Sequence, residues 1–179
     1  MFNIQKLDSI NSIYIKEKPI NALTKICLPY LSQFNTSKYS KKNLEKIIEI
    51  CQPRLKKLSD VSLLCDFFFQ EKLEYDKDLL NWKQMEERDV KESLKVSENL
   101  LSEVKKFDKK TLEEKLLKTA ETFNKKKGYP ERDRGYLLWP LRVALSGKEA
   151  SAGPFEIAEI LGKQMSVKRI QEAISMLAQ

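Results

Sequence analysis

The sequence predicts an all-α fold, built as two consecutive small helical domains joined end to end. Three observations carry this. Glycine and proline are scarce, at 5 and 6 of 179 residues, while lysine, leucine and glutamate dominate, a composition that favours long helices and short loops. Apolar residues recur at helical spacing along most of the chain, with no alternating stretch that reads as a strand and no internal repeat. One acidic, polar stretch, residues 71–78, interrupts the pattern and divides the chain into residues 1–75 and 76–179.

In the first domain, residues 2–15 space Ile4, Leu7, Ile10 and Ile13 or Tyr14 as a helix, and Pro19 punctuates it. Ile20 to Phe34 reads as a second helix with Leu23, Ile26 and Tyr30 on one side; Pro29, late in it, kinks or ends it. Residues 35–39 are a loop. Ser40 is an N-cap for a helix over 41–51, where Leu44, Ile47, Ile48 and Cys51 follow i, i+3, i+4, i+7. Pro53 stops that helix, and Arg54, Lys56 and Lys57 crowd the turn. Ser59 then caps an apolar helix over 60–68 that carries Val61, Leu63, Leu64, Phe67 and Phe68.

In the second domain, 79–84 is a short helix or turn containing Trp82, and a long helix over 89–107 faces its core with Val90, Leu94, Leu101 and Val104. Thr111 to Glu114 matches a capping box, after which Leu112, Leu116, Ala120 and Phe123 mark one stripe up to Lys125. Residues 125–136 read as a basic loop. A short helix follows to Ser146, with Pro140 in its first turn, where a missing N–H costs nothing, and Gly147 just past its end, where φ is often positive. Pro154 opens a helix to Gly162, and a last helix covers 166–177.

Composition removes several function classes. With 41% hydrophobic and 33% charged residues the chain reads as globular rather than disordered. No run approaches the ~20 apolar residues of a membrane span, and the N-terminus lacks a secretory pattern. There is no histidine, and Cys27, Cys51 and Cys65 show no metal-ligand spacing, which argues against a zinc site and against Ser/His or Cys/His catalysis. Phosphate-binding glycine motifs are also missing, so the residues themselves show no enzyme site. An odd, sparse cysteine count suits a reducing cytoplasm or organelle matrix, with each thiol a small buried hydrophobe. The net charge of +7 is uneven: residues 38–57 hold seven Lys/Arg against two Glu, and 115–148 hold nine against three acids. Two basic clusters suggest a polyanionic partner or, more plainly, a solvated lysine-rich surface.

Three blocks of residues carry a resemblance. The first is Phe2-Asn3-Ile4-Gln5-Lys6-Leu7 continuing through Asn11 to Tyr14-Ile15. The second is Gln52-Pro53-Arg54-Leu55-Lys56-Lys57-Leu58. The third runs from Trp139-Pro140-Leu141-Arg142-Val143-Ala144-Leu145-Ser146-Gly147 through Gly153-Pro154-Phe155-Glu156 to Gly162. In this order and spacing the chain resembles, from end to end, the C-terminal part of bacterial-type glutamyl-tRNA synthetases. The resemblance implies an α-helical cage of two lobes that grips the anticodon stem-loop of glutamate tRNA: 1–75 the first lobe, its residues 1–15 the tail of the stem-contact region, and 76–179 the second. It further implies that the catalytic, ATP-binding domain lies upstream. Within the chain it implies no catalytic residue, no metal and no cofactor, and it implies a monomer, away from membranes, in the cytoplasm or an organelle matrix.

The resemblance also assigns residues. Arg54 stands where the family reads the last anticodon base, and a guanidinium can donate to the acceptors of cytosine, separating the glutamate anticodon from the glutamine one. Lys56 and Lys57 lie near the phosphates, and Lys6 matches a lysine that approaches the tRNA backbone. Arg142 matches the arginine lining the pocket for the first anticodon base, and Ser151, Ala152 and Pro154 match the loop that packs on it. The chain departs from the family in having Ser151-Ala152 for a frequent Thr-Pro, Ser146 for Thr, and Ser9 where some members have tryptophan. Plainer readings stand beside these roles: Arg54 as a helix-end cap or acid partner, Arg142 as a structural ion pair, Trp82 and Trp139 as core residues rather than base-stacking ones. The alternative function is a non-catalytic helical protein-interaction domain derived from a synthetase, binding acidic partners.

Overall fold

Residues 4–177 are described by the structure, a computed structural model, and they form eight α-helices linked by short 3-10 turns, with no strand among the described residues. They divide into two units, one through Glu71 and one from Lys72.

The first unit contains α1 (Ile4–Glu17), α2 (Ile20–Cys27), α3 (Lys41–Cys51) and α4 (Asp60–Phe69). Ser40 caps α3, its hydroxyl accepting from the Asn43 N–H at 3.2 Å, so the local sequence signal and the structure agree there. The second helix is shorter than its pattern predicts. It tightens at Leu28 into a 3-10 turn, Leu28–Leu31, in which Pro29 occupies an early position that needs no N–H donor. At α4, Ser59 has helical backbone and makes no side-chain capping bond; Asp60 carries out the local bonding instead, by reaching back along the chain. The core is formed by Leu23, Leu31, Ile47, Ile48, Leu55, Val61 and Phe67 together with all three cysteines. Burial pushes the Cys27 thiol up to about 11, aided by Cys51, and pushes Cys65 well above its usual value, aided by its hydrogen bond to Cys51. Protonated, buried thiols behave as small hydrophobes. Helix α1 differs from the others. Its apolar stripe of Leu7, Ile10, Ile13 and Tyr14 is exposed, and Ile15 alone among its described side chains is buried.

The second unit contains α5 (Glu87–Glu103), α6 (Lys109–Lys127), α7 (Gly135–Ser146) and α8 (Pro154–Met176). Helices α7 and α8 pack on each other and both pack on α5. Val90, Leu94, Leu101, Leu112, Leu116, Leu141, Ile157 and Ile170 are fully buried between them, each worth ~1.5–3 kcal/mol relative to an exposed side chain. Gly162 interrupts α8 with non-helical backbone (φ 76°, ψ 169°), so the two helices read from the sequence meet there. Both ends of α5 and both ends of α6 differ from expectation. Helix α5 begins two residues earlier, at Glu87, and ends at Glu103 rather than Phe107. The cap of α6 is Asp108, not Thr111: its carboxylate accepts from the Thr111 N–H at 3.0 Å and from the Thr111 hydroxyl at 3.1 Å. Helix α6 extends to Lys127, where Gly128 closes it at φ +73°. The basic loop is correspondingly short, and the buried Asn124 amide ties it down by donating to Pro130 O (3.0 Å) and Asp133 O (2.8 Å).

The start of α7 differs most. It begins at Gly135, so Pro140 lies inside the helix and not in its first turn. Pro140 is buried there and leaves the preceding turn without one donor. The reason for the early start is remote in sequence. Asp133 accepts from the Trp82 indole N–H at 3.1 Å and from the Gly135 N–H at 3.2 Å, and it also pairs with Lys83. A Cβ on Gly135 would stand 2.3 Å from the indole, so glycine is required at that close approach.

Candidate nucleic-acid interface

In the first unit the candidate residues gather on one turn. Gln52, Pro53 and Arg54 form a 3-10 turn at the end of α3, and Lys56 and Lys57 follow it. Two side chains fix its shape. Gln52 Nε2 donates to Ile15 O at 2.8 Å and Lys18 O at 2.9 Å, with Lys16 O at 3.3 Å, gathering the carbonyls where α1 ends. The Asp60 carboxylate accepts from the Lys56 and Lys57 N–H groups at 3.1 and 3.0 Å. With their backbone held, Lys56 and Lys57 are exposed, and Arg54 between Pro53 and Leu55 is half-buried. Leu55 is fully buried and acts as the plug that seats the turn. Lys6 lies on α1 and is exposed.

In the second unit Arg142, Ser151, Ala152 and Pro154 belong to one element, the connection from α7 to α8. Gly147 leaves α7 at φ +64°, its N–H donating to Val143 O at 2.7 Å. Arg142 then grips the loop it precedes. Its Nη2 donates to Glu149 O at 2.8 Å, and its Nη1 donates to Ser151 Oγ at 3.0 Å, with Lys148 O at 3.4 Å. The Ser151 hydroxyl in turn donates to Ala152 O at 3.1 Å. Pro154 is buried at the first position of α8, where its ring is preorganised for the helix. The guanidinium also lies over the Trp139 ring, 4.4 Å from the centroid, and Trp139 pairs with Trp82 at 4.8 Å. Both indoles are committed to the fold: Trp139 Nε1 donates to Leu79 O at 2.8 Å and Trp82 Nε1 to Asp133. Trp82, Trp139, Arg142 and the 148–151 backbone thus form one continuous stack. It makes Arg142 an organiser of the loop, in a partly buried, low-dielectric setting where hydrogen bonds from a charge are strong.

Sequence reasoning missed several of these parts. The role of Gln52 is not legible in the sequence, because its three carbonyl partners lie 34 to 37 residues away. Nothing in the sequence marks Arg169. It is 1% exposed on α8, and its Nη1 donates to Leu145 O at 2.5 Å, satisfying a carbonyl at the end of α7 just before the gripped loop. Among the described residues no group of three His, Cys, Asp or Glu side chains is arranged to hold a metal ion, and no helix is long and apolar enough to cross a membrane.

Comparison with known proteins adds family information to this geometry. Residues 22–174 match the family model described as an anticodon binding domain. The chain is 31% identical over 179 residues to a glutamate–tRNA ligase of Thermoanaerobacter pseudethanolicus, covering 99% of this chain and 36% of that protein. It is 35% identical over 186 residues to the glutamate–tRNA ligase of Clostridium kluyveri, covering 99% of this chain and 35% of that one. The chain therefore spans about a third of the length of the curated relatives it matches. The crystal structure of a glutamate tRNA ligase from Elizabethkingia meningosepticum superposes with a TM-score of 0.78 over 98% of this chain and 33% of that one, at 21% identity, which establishes a shared all-α fold.

Proposed function

Because the chain belongs to the anticodon-binding domain family, we propose that it is the part of a glutamate–tRNA ligase that recognises the anticodon stem-loop of glutamate tRNA. The observation that carries this reading is the turn from Gln52 to Lys57. Its backbone is locked by Gln52 on one side and Asp60 on the other, and it presents one guanidinium and two exposed ammonium groups together. A rigid cationic turn suits RNA in two ways. Lys56 and Lys57 neutralise phosphates, which positions the strand without reading it. Arg54 offers several donors in a fixed plane to the Watson–Crick edge of an unstacked base. Lys6 on α1 adds a backbone contact. In the other unit, the loop at Ser151 and Ala152 packs on a second base, while buried Pro154 fixes the loop's exit into α8 and Arg142 sets its shape from behind.

The ATP-dependent ligation chemistry belongs to the larger part of such a ligase, outside the matched third. Anticodon binding acts on that chemistry by positioning the tRNA, not by reaction at these residues. The chain works as a monomer in the cytoplasm. The test is a gel-shift of the 179-residue chain with glutamate and glutamine tRNAs over a range of salt. Preferential, salt-sensitive binding of glutamate tRNA is expected, with the preference reduced in Arg54→Ala. Equal binding of both tRNAs by the parental chain sinks the specificity claim, and salt-insensitive binding sinks the phosphate contacts.

A further inference from the structure

A groove of about 370 Å³ opens in the first unit between α1, the end of α2 and the turn into α4. Its rim carries Asn11, Tyr14, Lys18, Tyr30, Lys57 and Ser59, over an apolar floor. Tyr14 is 67% exposed and Tyr30 43% exposed, and among the described residues neither ring stacks on another ring and neither hydroxyl is hydrogen-bonded. Two lysines line the groove and no carboxylate does. Packing of this unit therefore does not account for these tyrosines.

We propose that this groove binds one unstacked nucleobase of the RNA, stacked on Tyr14 or Tyr30, with its phosphates on Lys18 and Lys57. The proposal rests on the tRNA-binding reading above and adds a site to it. Exposed aromatic rings interleaved with cations are how proteins hold single-stranded nucleic acid: every base has a π-face, and the lysines track the backbone. A splayed loop base also brings a polar edge, and Asn11 and Ser59 offer both donors and acceptors to it. Lys57 is shared between the groove and the turn that carries Arg54 and Lys56, so a strand engaged by that turn delivers a neighbouring nucleotide here. The apolar floor alone would suit a polypeptide segment equally well. The paired lysines with no acid on the rim favour a polyanion.

The experiment is a titration of glutamate tRNA onto the parental chain and the variants Tyr14→Ala, Tyr14→Phe, Tyr30→Ala and Lys18→Gln, with Arg54→Ala as reference and circular dichroism as the fold control. Removing a stacking ring weakens binding about 5- to 100-fold, and Tyr14→Phe restores most of what Tyr14→Ala loses. Lys18→Gln lowers the steepness of the salt dependence by about one phosphate contact. Ultraviolet crosslinking places RNA on the peptide containing Tyr14 or Tyr30. If both tyrosine-to-alanine variants bind as the parent does while Arg54→Ala is weakened, the groove is not an RNA site and polypeptide docking takes its place. A parental chain that fails to bind tRNA overturns the tRNA reading and this proposal together.

Discussion

The guanidinium of Arg142 lies 4.4 Å from the centroid of the Trp139 indole, and the same group holds Glu149 O at 2.8 Å and Ser151 Oγ at 3.0 Å. One planar cation is thus sandwiched between an aromatic face and a loop. A lysine can supply the charge but not the plane or the fork.

Arg142→Lys and Arg142→Ala are therefore both expected to loosen residues 147–152. Amide hydrogen exchange across that loop should accelerate in both variants while exchange in α5 and α6 stays as it is. Protection in Arg142→Lys equal to the parent would mean that charge alone shapes the loop.

Gly135→Ala forces a methyl group to within 2.3 Å of the Trp82 indole. The expected loss is about 1–3 kcal/mol, typical of overpacking next to a rigid ring. Gly128→Ala meets no neighbour, yet its φ of +73° penalises any side chain by about 1 kcal/mol. Chemical denaturation of the two variants should rank Gly135→Ala as the more damaging.

Asp60→Ala removes the carboxylate that accepts from the Lys56 and Lys57 amides. The cost to stability is about 1 kcal/mol, as for loss of an N-cap. Affinity for glutamate tRNA should fall further than that of Lys56→Ala, because the whole turn loses its shape. A tRNA titration showing Asp60→Ala at parental affinity would remove the turn's rigidity from the mechanism.

Stability at low pH depends on a cluster joining α5 to α6. The Lys127 ammonium bonds Asp89 at 2.7 Å and Glu92 at 2.6 Å, and the Tyr129 hydroxyl also donates to Asp89. These bonds, Lys127's first, hold Asp89 below its usual 3.8 and Glu92 below its usual 4.5. A carboxylate with a depressed folded value stabilises fully above its ordinary range, and the gain drains away as pH falls through that range toward the depressed value. Lys127 is raised by the same partners, so its contribution is present below 10.5 and is lost only as pH rises through its raised folded value. Urea midpoints of the parent and Lys127→Met should differ near pH 7 and converge as the pH falls below 3.8 and through the depressed values of Asp89 and Glu92. A gap that stays constant would assign the effect of Lys127→Met to lost packing.

Where physical causes were local, the sequence revealed them. Ser40 sits three residues before the amide it caps, and Gly147 follows directly on the helix it ends. Local reading faltered where two answers were equally good: Asp108 and Thr111 are both competent caps, and the carboxylate that can take two donors prevailed. It failed where the cause lay far along the chain. Helix α7 begins at Gly135 because of an indole 53 residues earlier, and Pro140 is carried into the helix interior as a result. At the candidate site, Arg54 and Arg142 were legible as parts of motifs. Of the groups that shape that turn and that loop, Gln52 acts across 34 to 37 residues with no periodic signature, whereas Asp60 and Trp139 act over three or four residues, where the sequence shows them as neighbours without showing the contact they make.

The placement of rare side chains has a practical consequence. Both tryptophans of the chain lie beyond Lys72, and all three cysteines lie before Glu71. Indole fluorescence therefore reports on one unit alone, and the rate of thiol labelling reports on the other. Followed together through one denaturation series on the unaltered protein, the two signals show whether the halves melt as a single cooperative body or one at a time.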